Sequence, residues 1–215
     1  MSDPIIESLR SGRYEMAEAR VLPHLVRAGE RVVEVGAGIG FLTALIARHT
    51  AAELVVAIEA NPLLQAYMAE LHQLNGVEPV RRQALVTPQP APGPGTLHVH
   101  QDLWASSPGW IKRRDQLDAV EVPVLSLAEI AETWRPTLLI VDVEPFAAWT
   151  AAEAPPHALA GADFRPFPRV LLELKPNRFT APQIETVFDH FADQGFRRDL
   201  DAASGPLVLF EQLAA

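Results

Sequence analysis

Cysteine is absent from the 215 residues, which excludes disulfides, thiolate metal sites and a cysteine nucleophile. Aromatic residues make up only 7%. Basic residues are in deficit, 18 Lys and Arg against 27 Asp and Glu, leaving a net charge of −9. The longest basic run, Lys112-Arg113-Arg114, is too short for a stripe that neutralises phosphates, so no nucleic-acid partner is expected. The same deficit disfavours an anionic membrane surface. No apolar run approaches the roughly 20 residues of a membrane span. The start, Met1-Ser2-Asp3-Pro4-Ile5, lacks the basic and then apolar order of a secretory leader. Glycine (12) and proline (19) stay below the level that marks low complexity. What is left is a soluble chain, expected in the cytoplasm and able to bury its own core as one domain, residues 1–215.

The residues that are present alternate between two periods. An N-terminal helical segment spans residues 1–30, with helical spacing clearest over Tyr14–Val26. Arg31–Val35 is a β-branched strand, and Phe41–His49 is an apolar helix. The unit repeats as Leu54–Ile58, ending at Glu59, and a helix over Pro62–Asn75 that Gly76 stops. Val77–Val86 is a third strand region, and the proline-rich Thr87–Gly95 is a surface loop within the domain. Strands are expected at Thr96–His100, Leu138–Asp142 and Arg169–Leu174, and helices at Leu127–Trp134 and Pro182–Gly195. Arg197–Asp201 and Leu207–Gln212, around Ala203-Ser204-Gly205-Pro206, form a hairpin that adds one antiparallel edge strand. Such alternation predicts a doubly wound α/β, Rossmann-like sheet.

Between the first strand and the next helix lies Gly36-Ala37-Gly38-Ile39-Gly40. A glycine turn there lets a ligand approach the backbone and a helix N-terminus. The dinucleotide fingerprint needs its third glycine where Phe41 stands. Glu34, two residues before Gly36, would repel a pyrophosphate. A carboxylate there suits a cofactor with positive charge, as in the sulfonium and ammonium of S-adenosylmethionine. Glu59, ending the second strand, is placed to accept hydrogen bonds from both hydroxyls of a ribose. An NAD-dependent oxidoreductase is the alternative that the glycine spacing and Glu34 count against.

These residues resemble a class I S-adenosylmethionine-dependent methyltransferase, and more narrowly the FkbM family. Val33-Glu34-Val35-Gly36-Ala37-Gly38-Ile39-Gly40-Phe41, with Thr43, is similar to that family's glycine motif. Ile58-Glu59-Ala60-Asn61-Pro62, Leu74-Asn75, Val122–Leu127 and Asp142-Val143-Glu144 resemble its later motifs. The resemblance implies a sheet of order 3-2-1-4-5-7-6 and S-adenosylmethionine as cofactor. It implies cofactor contacts at Glu34, Gly36, Ala37, Gly38, Gly40, Glu59, Ala60, Asn61 and Asp142, and no metal. The acceptor it implies is a small molecule, with oxygen the first expectation. Asp142 and Glu144, alternating around Val143 at a strand end, are the expected catalytic pair, Asp142 toward the cofactor and Glu144 as base. Pro145 and Ala147 depart from the family where it has Gly and Glu, and Gly38 where it has Asn. A cofactor-binding protein without turnover is therefore a further alternative.

Other polar groups read more plainly. His98, His100 and Asp102 share one strand face and lack an evident fourth ligand, so an exposed polar face is expected there. Glu173 and Lys175 end a strand, either lining the substrate side or solvated, and the four tryptophans are expected in packing roles, with a substrate-pocket wall the alternative for Trp149 beside Asp-Val-Glu.

Overall fold

The computed structural model describes residues 3–100, 107–108, 116–142, 162–174, 180–204 and 206–213. Helices α1 (Asp3–Arg10) and α2 (Met16–Leu25) precede β1 (Arg31–Val35), α3 (Phe41–His49) and β2 (Leu54–Glu59). A 3-10 turn (Pro62–Leu64) leads into α4 (Gln65–Leu74), then β3 (Val80–Gln83) and β4 (Leu85–Thr87). Next come β5 (Gly95–His100), β6 (Ser107–Pro108), β7 (Gln116–Val122), β8 (Val124–Ser126), α5 (Leu127–Trp134) and β9 (Leu138–Val141). β10 (Arg169–Glu173), α6 (Ala181–Asp193), β11 (Phe196–Ser204) and β12 (Leu207–Gln212) follow. The element boundaries follow local chemistry. Asn61 accepts the Leu63 amide at 3.0 Å and Pro62 opens the turn behind it. Ser126 and Glu129 close a reciprocal capping box at the start of α5.

The main sheet has seven strands in the order β3-β2-β1-β9-β10-β12-β11. Counted along the chain within this sheet, that is 3-2-1-4-5-7-6, as the resemblance implies. β1 lies between β2 and β9, parallel to both. The antiparallel strand is not at the edge, contrary to the sequence expectation. β12 sits between β10 and β11, antiparallel to each. Its residues explain the inner place: Leu207, Leu209 and Phe210 are buried, whereas Arg197 and Arg198 of β11 are exposed.

Alternate residues of each central strand serve opposite faces. Val33, Val35, Val56, Ile58, Leu139 and Val141 join the core under α5 and α6, where Phe191 stacks on Phe210 with centroids 4.0 Å apart. Trp134 packs into this same core. Val32, Val55, Leu138 and Ile140 face Leu22, Leu42 and Ile46 of α2 and α3. Both faces are thus covered, as a parallel sheet requires.

Two expected strands leave the main sheet. The region Val77–Val86 divides at buried Ala84: β3 continues beside β2, while β4 pairs in parallel with β8. β5, expected in the main sheet, instead pairs antiparallel with β6 and β7. The exposed, proline-rich stretch after β4 carries the chain away, and β7 offers a partner whose Val120 and Val122 turn inward. Leu97, Val99 and Val122 then pack on Leu85, with Ala60 alongside.

Candidate functional site

The carboxyl ends of β1, β2 and β9 lie side by side, and the acidic residues singled out from the sequence stand in those strand ends (Glu34, Glu59) or just past one (Asp142). Glu34, Glu59 and Asp142 come together there. Glu34 pairs in register with Ala57 and Ile140. Asp142 follows β9 and donates its amide to the Val35 carbonyl at 3.0 Å, which fixes it beside the glycine turn.

Glu34 is on the face of β1 that Val32 shares, under α2 and α3, and only 1% of it is exposed. Its Oε2 has no hydrogen-bond partner. Burial, followed by the neighbouring Asp142, Glu59 and Glu18 charges, pushes its carboxyl up to about 8, with the Thr43 amide opposing. Glu59 is held more tightly. Its Oε1 accepts from the Asn61 amide at 2.7 Å and its Oε2 from the Gly38 amide at 2.9 Å. Burial raises it to about 7 against the lowering effect of those amides. The Ala60 amide bonds the same carboxyl, and since a carboxylate has about four acceptor positions, about one remains for a hydroxyl donor.

The glycine turn offers room more than donors. The Gly36 and Ala37 amides both donate to the Ile58 carbonyl, at 2.9 and 3.0 Å, and Gly40 donates to Ala37 at 2.7 Å. Gly36, Gly38 and Gly40 all have positive φ. A Cβ at Gly40 would lie 2.6 Å from His72 and Met68, so this glycine lets α4 approach the turn. His72 Nε2 is 3.0 Å from Thr43 Oγ1 and 3.1 Å from the Gly40 carbonyl, bracing the turn from beneath. Burial lowers its pKa. Asn61 is fully buried and its side chain caps the 3-10 turn, while Ala60 packs toward the small sheet.

One part of the site had no sequence signal. Tyr14 and Glu15, between α1 and α2, lie over the glycine turn. The Tyr14 hydroxyl would be 3.2 Å from a Cβ at Gly38, and its ring meets Phe41 edge-on at 5.7 Å. Glu15 Oε2 is buried without a partner. Glu15 adopts a left-handed conformation, φ 46°, that no glycine or asparagine announces.

Other expectations fall elsewhere. Glu144, Pro145, Ala147, Trp149, Asp102 and Lys175 lie outside the described residues. His98 is in β5, in the small sheet away from the glycine turn. Among the described residues no group of three His, Asp or Glu side chains is placed to hold a metal. No helix among them is long and apolar enough to cross a membrane.

The site can therefore receive a ligand that brings positive charge to Glu34 and a hydroxyl to Glu59. Residues 10–86 match the model of the TRM5/TYW2 methyltransferase domain, a different family from FkbM. The fold is similar to that of magnesium protoporphyrin IX methyltransferase (ChlM) from Synechocystis PCC 6803, whose structure contains bound S-adenosylmethionine. The TM-score is 0.52 at 13% identity, over 99% of this chain and 86% of that one. It is also similar to precorrin-6y C5,15-methyltransferase from Geobacter metallireducens GS-15, with TM-score 0.50 at 10% identity over 94% and 88%. No curated protein sequence matches the chain. The family model over residues 10–86 and these likenesses in fold are all to methyltransferases.

Proposed function

We propose that this S-adenosylmethionine-dependent methyltransferase acts on a small-molecule acceptor through oxygen, as the resemblance to FkbM motifs implies. The observation that carries the site assignment is the buried, partnerless Oε2 of Glu34 beside Asp142. A carboxyl in a dry position among acids stays protonated until a cation reaches it. In this reading Glu34 and Asp142 face the cofactor's cationic end, and Glu59 accepts from a ribose hydroxyl. The glycine turn Gly36–Gly40 makes room for the ligand, and Ala60 and Asn61 shape its adenosine side. The bound cofactor supplies an electrophilic methyl carbon on a sulfonium. The protein's work is then alignment, an effect worth up to roughly 7–11 kcal/mol in ideal cases. Glu144 is assigned the acceptor proton on sequence grounds, two residues beyond Asp142.

A small acceptor fits the charge balance, because −9 disfavours a polyanion. Incubation with methyl-labelled cofactor, a small-molecule extract and total RNA tests the assignment. Label is expected in the small-molecule fraction, on oxygen, and Glu144→Gln is expected to slow its appearance by about 10²–10⁴-fold. Label in RNA overturns the acceptor class. A Glu144→Gln rate equal to the wild type removes the base, leaving alignment alone.

A further inference from the structure

The turn between α1 and α2 holds a carboxylate that the fold does not use. Glu15 stands at the N-cap of α2, where a short polar side chain ordinarily accepts from the helix amides. Glu15 makes no such cap. Its backbone instead takes a left-handed conformation that a non-glycine residue adopts only under strain. The side chain turns inward, where Oε2 is buried without a partner. Tyr14 hydrogen-bonds the carboxyl group, and Glu34, Asp142 and Glu18 are the charges that bear on it. All three are acidic. Glu34, itself 1% exposed, carries a second partnerless oxygen, and its charge bears on Glu15.

We propose that Glu15 is a binding residue for the cationic, amino-acid end of the cofactor, and that the Tyr14–Glu15 turn closes over that end. This rests on the cofactor assignment above and adds the N-terminal segment to it. The cofactor's ammonium and sulfonium are the charges that two orphaned carboxylates lack. Tyr14, wedged between Gly38 and Phe41, sets the turn against the glycine loop. In the free protein burial and the adjacent carboxylates keep Glu15 protonated, well above the ordinary carboxylate range. An arriving cation ionises it, so binding releases a proton.

The test is calorimetric titration of wild type and Glu15→Gln with S-adenosylmethionine and with methylthioadenosine, which has the adenosine half and lacks the amino-acid end. Glu15→Gln is expected to weaken S-adenosylmethionine about tenfold or more. Methylthioadenosine affinity is expected to stay within about twofold of the wild type by the same reasoning, since it makes no contact with this turn. Proton release on binding, read by repeating the titration in buffers of different ionisation enthalpy, is expected to fall. The free Glu15→Gln protein is expected to melt no lower than the wild type, because the change removes an uncompensated buried acid. Unchanged S-adenosylmethionine affinity overturns the proposal. So does an equal loss for both ligands, or a lowered melting temperature, since either makes Glu15 a structural group of the glycine turn. A wild type that binds neither ligand overturns the cofactor assignment itself.

Discussion

At the scale of single residues, the buried acids of the site carry a cost in stability. Glu34 has an unfolded carboxyl near 4.5 and a folded one pushed up to about 8, first by burial and then by Asp142, Glu59 and Glu18. Between those values the folded chain binds more protons than the unfolded chain. Stability therefore falls as pH rises through that window, the reverse of a salt-bridged carboxylate. Glu59, raised to about 7, adds to the same slope. Glu34→Gln is thus expected to melt at nearly the wild-type temperature at pH 4 and clearly higher at pH 9. Melting curves of the free protein across pH check this, and parallel curves for the two proteins at every pH would refute it. The residues of this site were unequally visible in the sequence. Glu34 and Glu59 could be found because strand ends and a glycine turn bracket them. Glu15 could not, because helical spacing runs through it from Tyr14 and nothing in its side chain encodes a positive φ.

At the scale of elements, the two ends of the sheet have opposite electrostatics. Where the carboxyl ends gather the acids Glu34, Glu59 and Asp142, the amino ends carry an ionic network. Arg169, opening β10, is 5% exposed, and its Nη1 donates to Glu30 Oε1 at 2.7 Å and to the Leu25 carbonyl at 3.2 Å. Its Nε donates to Glu211 Oε1 at 3.1 Å, which ties β12 to the loop after α2. Removing one partner strands a buried charge, so Arg169→Leu is expected to cost about 3–5 kcal/mol. Cofactor affinity is expected to be unchanged in the protein that remains folded, because the glycine turn is at the other end of β1. Denaturant unfolding and one titration measure both quantities. Element boundaries at β1, α3 and α5 were legible because β-branched runs, glycines and a Ser-x-x-Glu box punctuate them. The small sheet was not. Val77–Val86 reads as one continuous strand, and only the packing of buried Ala84 divides it. β5 gave no sign of its sheet because its partner β7 lies beyond Asp102–Asp115, and pairing across such a gap is set by tertiary packing.

At the scale of the molecule, the proline-rich stretch after β4 reads either as a loop or as a boundary between two units. Strand order bears on the choice. β1 belongs to the first half, yet Val32–Val35 pairs on one side with Val55–Ile58 and on the other with Leu138–Val141 of β9. Separating the chain near residue 90 would strip β1 of one neighbour and expose a bare parallel strand edge, which proteins avoid. It would also uncover Val33 and Val35, whose core partners Leu139, Val141, Leu127 and Ile130 all come from the second half. We therefore propose one cooperative domain. Residues 89–94 are exposed and offer a protease ready access. A single cut there is expected to leave two fragments that co-migrate on gel filtration and unfold together in one transition. Two fragments that separate and each keep a cooperative melt would mean two domains, and the cofactor site would then have to be complete within residues 1–90. That outcome is disfavoured because Asp142, whose charge bears on Glu34, enters from the second half.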